Sequence, residues 1–307
     1  MPRRLRFQPQ KNMIHVVSTR CIQGYSLLRP SQKVNRLIAG ILSRALLRSE
    51  GQIKLYAYVF MSNHYHLILQ SFDQKSLSEF MQYLNQNLSR ELGRLHDWKH
   101  HFWQSQYASH FVLDEEALAN QFKYVLSNSV KEGLVSHPKL WPGLHCYSQI
   151  VDSTQVKGTW IDRTAMYNAK RLKSNEHLTE QDFTVTYDLQ LSKPECWQHL
   201  SDHEYKAMIT RWVSEICCEN EQHEFMGADK VQKTEVLIKR KPEAGRKPLC
   251  KAGCLKIWIE FKKRYREFRT QYYLAACSYR DACGVEALLE ARSLFPFGGF
   301  IYGMVPT

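Results

Sequence analysis

The stretch Ile53–Gln70, IKLYAYVFMSNHYHLILQ, decides how the rest of the chain is read. Ile53–Phe60 reads as a strand, Met61, Ser62 and Asn63 make a short turn, and His64–Gln70 returns as the hairpin partner. Side chains two residues apart in a strand leave the same face. His64 and His66 therefore stand side by side, while Tyr65, Leu67 and Leu69 point the other way.

Working outward, Met13–Cys21 reads as a first strand. Ser31–Arg48 is a helix with Val34, Leu37, Ile38, Ile41, Leu42 and Ala45 on one stripe and Ser31 as its N-cap. A second helix is expected from Ser76, with Leu77, Phe80, Met81, Leu84, Leu88 and Leu92 aligned, and Tyr107–Leu113 suits a fourth strand. The order strand, helix, strand, strand, helix, strand describes an α+β, ferredoxin-like fold: an antiparallel sheet with both helices on one face. The histidines belong to the other face. The helix that follows, starting at Asp114, is expected to cover it. Asp114 is placed to cap this helix, Glu115 and Glu116 suit its positive end, and Gly133 is placed to end it. Leu118, Phe122, Val125 and Leu126 form its apolar stripe, and Gln121, Tyr124 and Asn128 form a polar one beside it.

The chain has 307 residues, enough for a full core and a second, smaller unit. With 42 Lys and Arg against 30 Asp and Glu the net charge is +12, which points to a polyanionic partner, nucleic acid first. Nine scattered cysteines, two of them adjacent at Cys217 and Cys218, form no disulfide framework and suit a reducing compartment. The pairs Cys250/Cys254 and Cys277/Cys283 fit zinc-site spacings poorly and read as free thiols. No apolar run is long enough to span a bilayer, so the expected location is the cytoplasm, at the nucleoid. The pattern weakens after about residue 150, which divides the chain into residues 1–150 and a mainly helical region, residues 151–307. In the latter, Leu255 to about Ala282 reads as a long helix with Trp258, Phe261, Tyr265, Phe268 and Tyr272 along a buried seam.

Two imidazoles fixed in direction by one strand bind a divalent cation with little ordering cost. With no carboxylate nearby the ion keeps its charge for polarising a phosphodiester. Asn128 supplies an amide oxygen as third ligand, with Gln121 as the alternative. Tyr124, one turn from Asn128, then stands beside the bound phosphate. A phenol with a pKa of about 10 is a poor nucleophile unaided, but a neighbouring cation favours its phenolate.

NHYHLIL, FWQSQY, KYVLSNSVKEGLV and WPGLHCYS, in this order, resemble the HUH transposases with one catalytic tyrosine, in particular the REP-associated tyrosine transposases. The resemblance covers about Met13–Tyr147. It implies the HUH nuclease type of ferredoxin-like sheet, Tyr124 as nucleophile, and His64, His66 and Asn128 as ligands of Mg2+ or Mn2+. It also implies nicking and rejoining of single-stranded DNA through a 5′-phosphotyrosine, at folded hairpins of repeat ends. Two positions depart from the family: Asn128-Ser129 stands where Asn-Pro is usual, and Ser105 follows Trp-Gln where a basic residue is common.

Candidate DNA contacts are Arg3, Arg4 and Arg6, whose other reading is a solvated tail, together with Lys131, Lys262, Lys263 and Arg266. Monomer and homodimer are both compatible with the sequence. Two other functions share its features: a hairpin-DNA binder or repressor without catalysis, and a hydrolase that uses activated water and leaves no covalent adduct.

Overall fold

The computed structural model describes residues 5, 7–171, 177–237 and 248–296. Its centre is β1 (Met13–Arg20), α1 (Gln32–Arg48), β2 (Ile53–Phe60), β3 (His64–Ser71), α2 (Gln74–Leu95), β4 (Ala108–Val112) and α3 (Glu115–Lys131). The four strands lie in the order β2-β3-β1-β4 with every neighbour antiparallel, which is the expected ferredoxin-like arrangement. Each helix starts at a cap. Ser31 Oγ accepts from Val34 N at 3.2 Å, and Asp114 Oδ1 accepts from Ala117 N at 2.8 Å. The second helix begins two residues earlier than its apolar stripe suggests, because Asp73 caps it by accepting from Ser76 N at 2.7 Å.

The two sheet faces differ because β3 alternates. Tyr65 is fully buried on the α2 side, where its hydroxyl accepts from Thr19 Oγ1 at 3.0 Å and donates to Asn85 Oδ1 at 2.6 Å. The other face carries the histidines and is covered by α3, whose Leu118, Phe122, Val125 and Leu126 are buried. Gly133 follows α3 at φ 66°, in the left-handed region that lets the chain turn away. The edge of β2 is closed by residues 144–146: Phe60 N donates to Leu144 O at 2.9 Å, and Cys146 N donates to Tyr58 O at 3.0 Å.

The remainder comprises α4 (Tyr147–Val151), β5 (Lys157–Ile161), α5 (Arg163–Lys170), β6 (Thr184–Asp188), α6 (Asp202–Glu219), α7 (Ala228–Lys233), β7 (Cys250–Lys251), α8 (Leu255–Asp281) and α9 (Val285–Ser293). It is mainly helical, as expected, but contains strands that the sequence pattern does not announce. β5 and β6 pair antiparallel, and β5 crosses α1 so closely that a Cβ at Gly158 would lie 1.9 Å from Gly40 N. β7 extends the main sheet by pairing parallel with β4. On α8 the aromatic seam is real: Phe261 and Phe268 are buried, Tyr265 and Tyr272 are half-buried, and Trp258 stays exposed at its end. Among the described residues no helix is long and apolar enough to cross a membrane.

Asp114 ties two distant segments. Besides capping α3, its carboxylate accepts from Gly253 N at 2.9 Å and Cys254 N at 3.2 Å, where α8 begins. Partial burial pushes its pKa up, but these backbone donors outweigh that and hold it below the ordinary range. Its contribution is therefore complete above the unfolded pKa of about 3.9 and is lost as pH falls through the lower folded value. Asp114→Ala is expected to cost about 1–2 kcal/mol in urea unfolding at pH 7, with the difference from wild type shrinking in strong acid.

Two histidines are buried and neutral. His15 lies 3.1 Å from Ser109 Oγ and 2.9 Å from Ser71 Oγ, and burial, helped by the charge of His110, pushes its pKa down to about 3. Burial likewise lowers His145 to about 4. Each stays neutral in the fold but takes a proton when unfolded, so stability is complete above the unfolded pKa of about 6.5 and falls as pH drops towards the folded value. Between pH 7 and pH 5 each should remove about 2 kcal/mol, and His15→Gln should flatten the urea-unfolding profile by that amount.

Candidate active site

β3 and α3 build the site. His64 is buried at 7% exposure, and its ring centroid lies 5.1 Å from that of His66, with the rings edge to face. On α3, the Tyr124 ring lies edge to face with that of His66 at 5.2 Å between centroids, and the residue is 41% exposed. Asn128 follows one turn later on the same side and is only 4% exposed. Its Nδ2 donates to Tyr124 O at 2.6 Å, which leaves Oδ1 as the end of the amide able to face a cation or phosphate.

The turn before β3 fixes the first histidine. Asn63 Oδ1 lies 2.7 Å from His64 Nδ1, and Asn63 Nδ2 donates to Gly24 O at 3.2 Å. The second bond orients the amide so that its oxygen faces the ring. Nδ1 then carries the proton, and Nε2 becomes the ring's acceptor atom, the tautomer that a metal-binding imidazole needs. Two neutral imidazoles and one amide oxygen suit a divalent ion of the manganese or magnesium kind that completes its shell with phosphate oxygens. Among the described residues no group of three or more His, Cys, Asp or Glu side chains is placed to hold a metal.

The other candidates fall in different places. Gln121 Oε1 lies 3.3 Å from His110 Nε2, over β4. Lys131 joins Tyr124 in lining an open groove of about 380 Å3 between α3 and α6, bordered by Asn120, Ser127, Glu215 and Asn220. Lys262, Lys263 and Arg266 are not brought to the tyrosine. Their helix docks through Phe261 on Phe111, with ring centroids 5.2 Å apart, and Phe111 pairs with His15, whose face of β1 is opposite that of Ser18, the partner of His66. Arg3, Arg4 and Arg6 lie outside the described residues. A cavity of about 450 Å3 between the end of α1 and the start of α2, lined by Arg48, Gln52, Glu79 and Tyr83, holds none of the site's side chains.

Two residues join the site that the sequence reading did not single out. Asn63 was read only as part of a turn, although it adjoins His64 in the motif. Arg20 pairs directly with His64 across β1 and β3, which puts it on the histidine face, and no carboxylate among the described residues forms an ion pair with it. Only the register between the strands reveals it. The Asn128-Ser129 departure is accommodated by continuing the helix: Ser129 is fully buried and α3 runs on to Lys131.

Comparison with known proteins gives a family. Residues 29–128 match the family model described as "Transposase IS200 like", a span that contains His64, His66, Tyr124 and Asn128. No curated protein sequence matches the chain. A solved REP-associated tyrosine transposase bound to a REP hairpin is 17% identical, with a TM-score of 0.39 over 50% of this chain and 85% of that one. A putative transposase from Deinococcus radiodurans R1 is also 17% identical, with a TM-score of 0.29 over 37% of this chain and 88% of that one. The segment 29–128, which contains both histidines, Tyr124 and Asn128, is thus similar to the IS200-like transposases.

Proposed function

We propose that the protein is a metal-dependent single-stranded DNA endonuclease and strand transferase that forms a 5′-phosphotyrosine at hairpin-bearing repeat sequences. The observation that carries this reading is the exposed Tyr124 ring standing 5.2 Å from His66, with Asn128 one turn below it. The basic composition and the resemblance to REP-associated tyrosine transposases support hairpin DNA as the target. The activity resides in residues 1–150, with residues 151–307 as an accessory region, and operates at the nucleoid.

In the reaction Tyr124 Oη attacks the scissile phosphorus and the bond to the 3′-oxygen breaks. The phenolic proton leaves to water and the departing 3′-oxygen takes one up, so one fragment ends in a free 3′-hydroxyl and the other stays on the enzyme by its 5′-phosphate. His64, His66 and Asn128 would hold Mg2+ or Mn2+, which would supply positive charge at the scissile phosphate. Asn63 holds His64 in its binding tautomer. Lys131 and Arg20 offer cations to the flanking phosphates, and the exposed side of Tyr124 admits the strand. The phosphotyrosine conserves the energy of the phosphodiester, so attack by a second 3′-hydroxyl rejoins strands without a nucleotide cofactor.

The test is incubation with Mn2+ and labelled single strands from the hairpins flanking the gene, read on a denaturing gel with mass mapping. A covalent adduct on Tyr124 is expected, absent with chelator and in Tyr124→Phe. Cleavage that survives Tyr124→Phe would replace the tyrosine with activated water, and tight binding without an adduct would leave a binding protein. Asn63→Ala is expected to weaken Mn2+ binding about 10- to 100-fold by calorimetry, whereas an unchanged affinity would remove Asn63 from the site's support.

A further inference from the structure

On the 27-residue α8 the acidic residues are confined to one flank, which they share with Lys256, Lys263 and Arg264. The seam of α8, Phe261, Tyr265, Phe268 and Tyr272, packs on Phe7, Met13, Phe111 and Cys250 at the β4–β7 side of the sheet. At 3.6 residues per turn, Lys262, Arg266 and Arg269 fall at i, i+4 and i+7 and form one stripe beside that seam. Glu260 and Glu267 fall on the opposite flank. Arg266 and Arg269 are exposed, and the Lys262 ammonium lies 3.9 Å from the centroid of the Trp258 ring. Among the described residues, no carboxylate forms an ion pair with any of the three.

We infer that this flank of α8 binds the phosphate backbone of duplex DNA, the paired stem of the hairpin, on the face of the sheet opposite Tyr124. Three cations in line on one helix are suited to a polyanion, and from Lys262 to Arg269 they span about 10 Å, or about three steps of a strand at its 3.4 Å rise. A paired stem fits better than unpaired bases because the centre of the stripe is cationic: Phe261 and Phe268 are turned into the seam, Lys262 covers the Trp258 ring, and the exposed Tyr273 lies beyond Arg269. Acidic residues segregated to the other flank keep repulsion away from the contact. The arrangement gives the protein two DNA surfaces: one grips the stem through phosphates, and the other presents the scissile strand to the tyrosine. Single strand linking them rounds the β4–β7 edge.

The inference rests on the proposed function for its choice of DNA, and the experiment separates the two. Fluorescence anisotropy with a labelled stem-loop carrying a single-stranded extension is measured over a salt series for the full chain. The triple variant Lys262→Gln/Arg266→Gln/Arg269→Gln is expected to bind at least about 10-fold more weakly, with a log–log salt slope lower by about three, one per lost phosphate contact. Arg269→Gln alone should lower the slope by about one, which keeps the test open if the triple variant folds poorly by circular dichroism. Lys256→Gln, on the side away from the seam, should change little, and adduct formation on an oligonucleotide without a stem should match wild type. Wild-type affinity and slope in the triple and single variants would overturn the inference while leaving the tyrosine chemistry intact. A reduced slope in a protein that forms no adduct would uphold the stem contact and refute the chemistry.

Discussion

The period-two alternation of β3, locked in register against β1, is the constraint on which the molecule depends. A slip of one residue would move His64 and His66 into the layer beneath α2 and turn Tyr65 and Leu67 towards the tyrosine helix. Tyr65 makes such a slip costly. Its ring is fully buried, and its hydroxyl joins Thr19 on the neighbouring strand to Asn85 on α2, so displacing it would strand three polar groups in an apolar layer. The same register sets Arg20 beside His64 and Ser18 beside His66. Packing on one face thus fixes the chemistry on the other.

Much of this was legible because it depends on local rules. Alternation put the two histidines on one face, caps and apolar stripes defined α1 and α3, and four-residue spacing aligned Tyr124 with Asn128. What escaped the sequence depends on contacts between distant segments. The bond from Asn63 to Gly24, the pairing of Arg20 with His64, and the two-residue β7 leave no periodic trace. The β5–β6 pair escaped because α5 separates its two short strands in the chain and their docking on α1 rests on an absence of side chain at Gly40 and Gly158. The face on which α8 packs was equally invisible. The helix and its seam are written in the sequence, while its partner Phe111 is known only from the fold.

The N- and C-terminal parts of the chain are joined by few but specific ties. Asp114 links the starts of α3 and α8, and Lys123 on α3 reaches Glu215 on α6 at 2.7 Å. The tyrosine helix is therefore held from three sides: the sheet beneath, α6 alongside, and the α8 segment at its N-terminus. A side chain on an element fixed in this way loses little entropy in reaching an aligned geometry.

Tyr124 and His66 meet within one chain, and this sets a stoichiometry. On the proposed chemistry, a protomer with a single nucleophile can hold one DNA end at a time. Cutting both ends of a mobile segment then takes either two protomers acting together or one that discharges its first end before taking the second. The number of covalent links per DNA molecule would thus count protomers rather than sites.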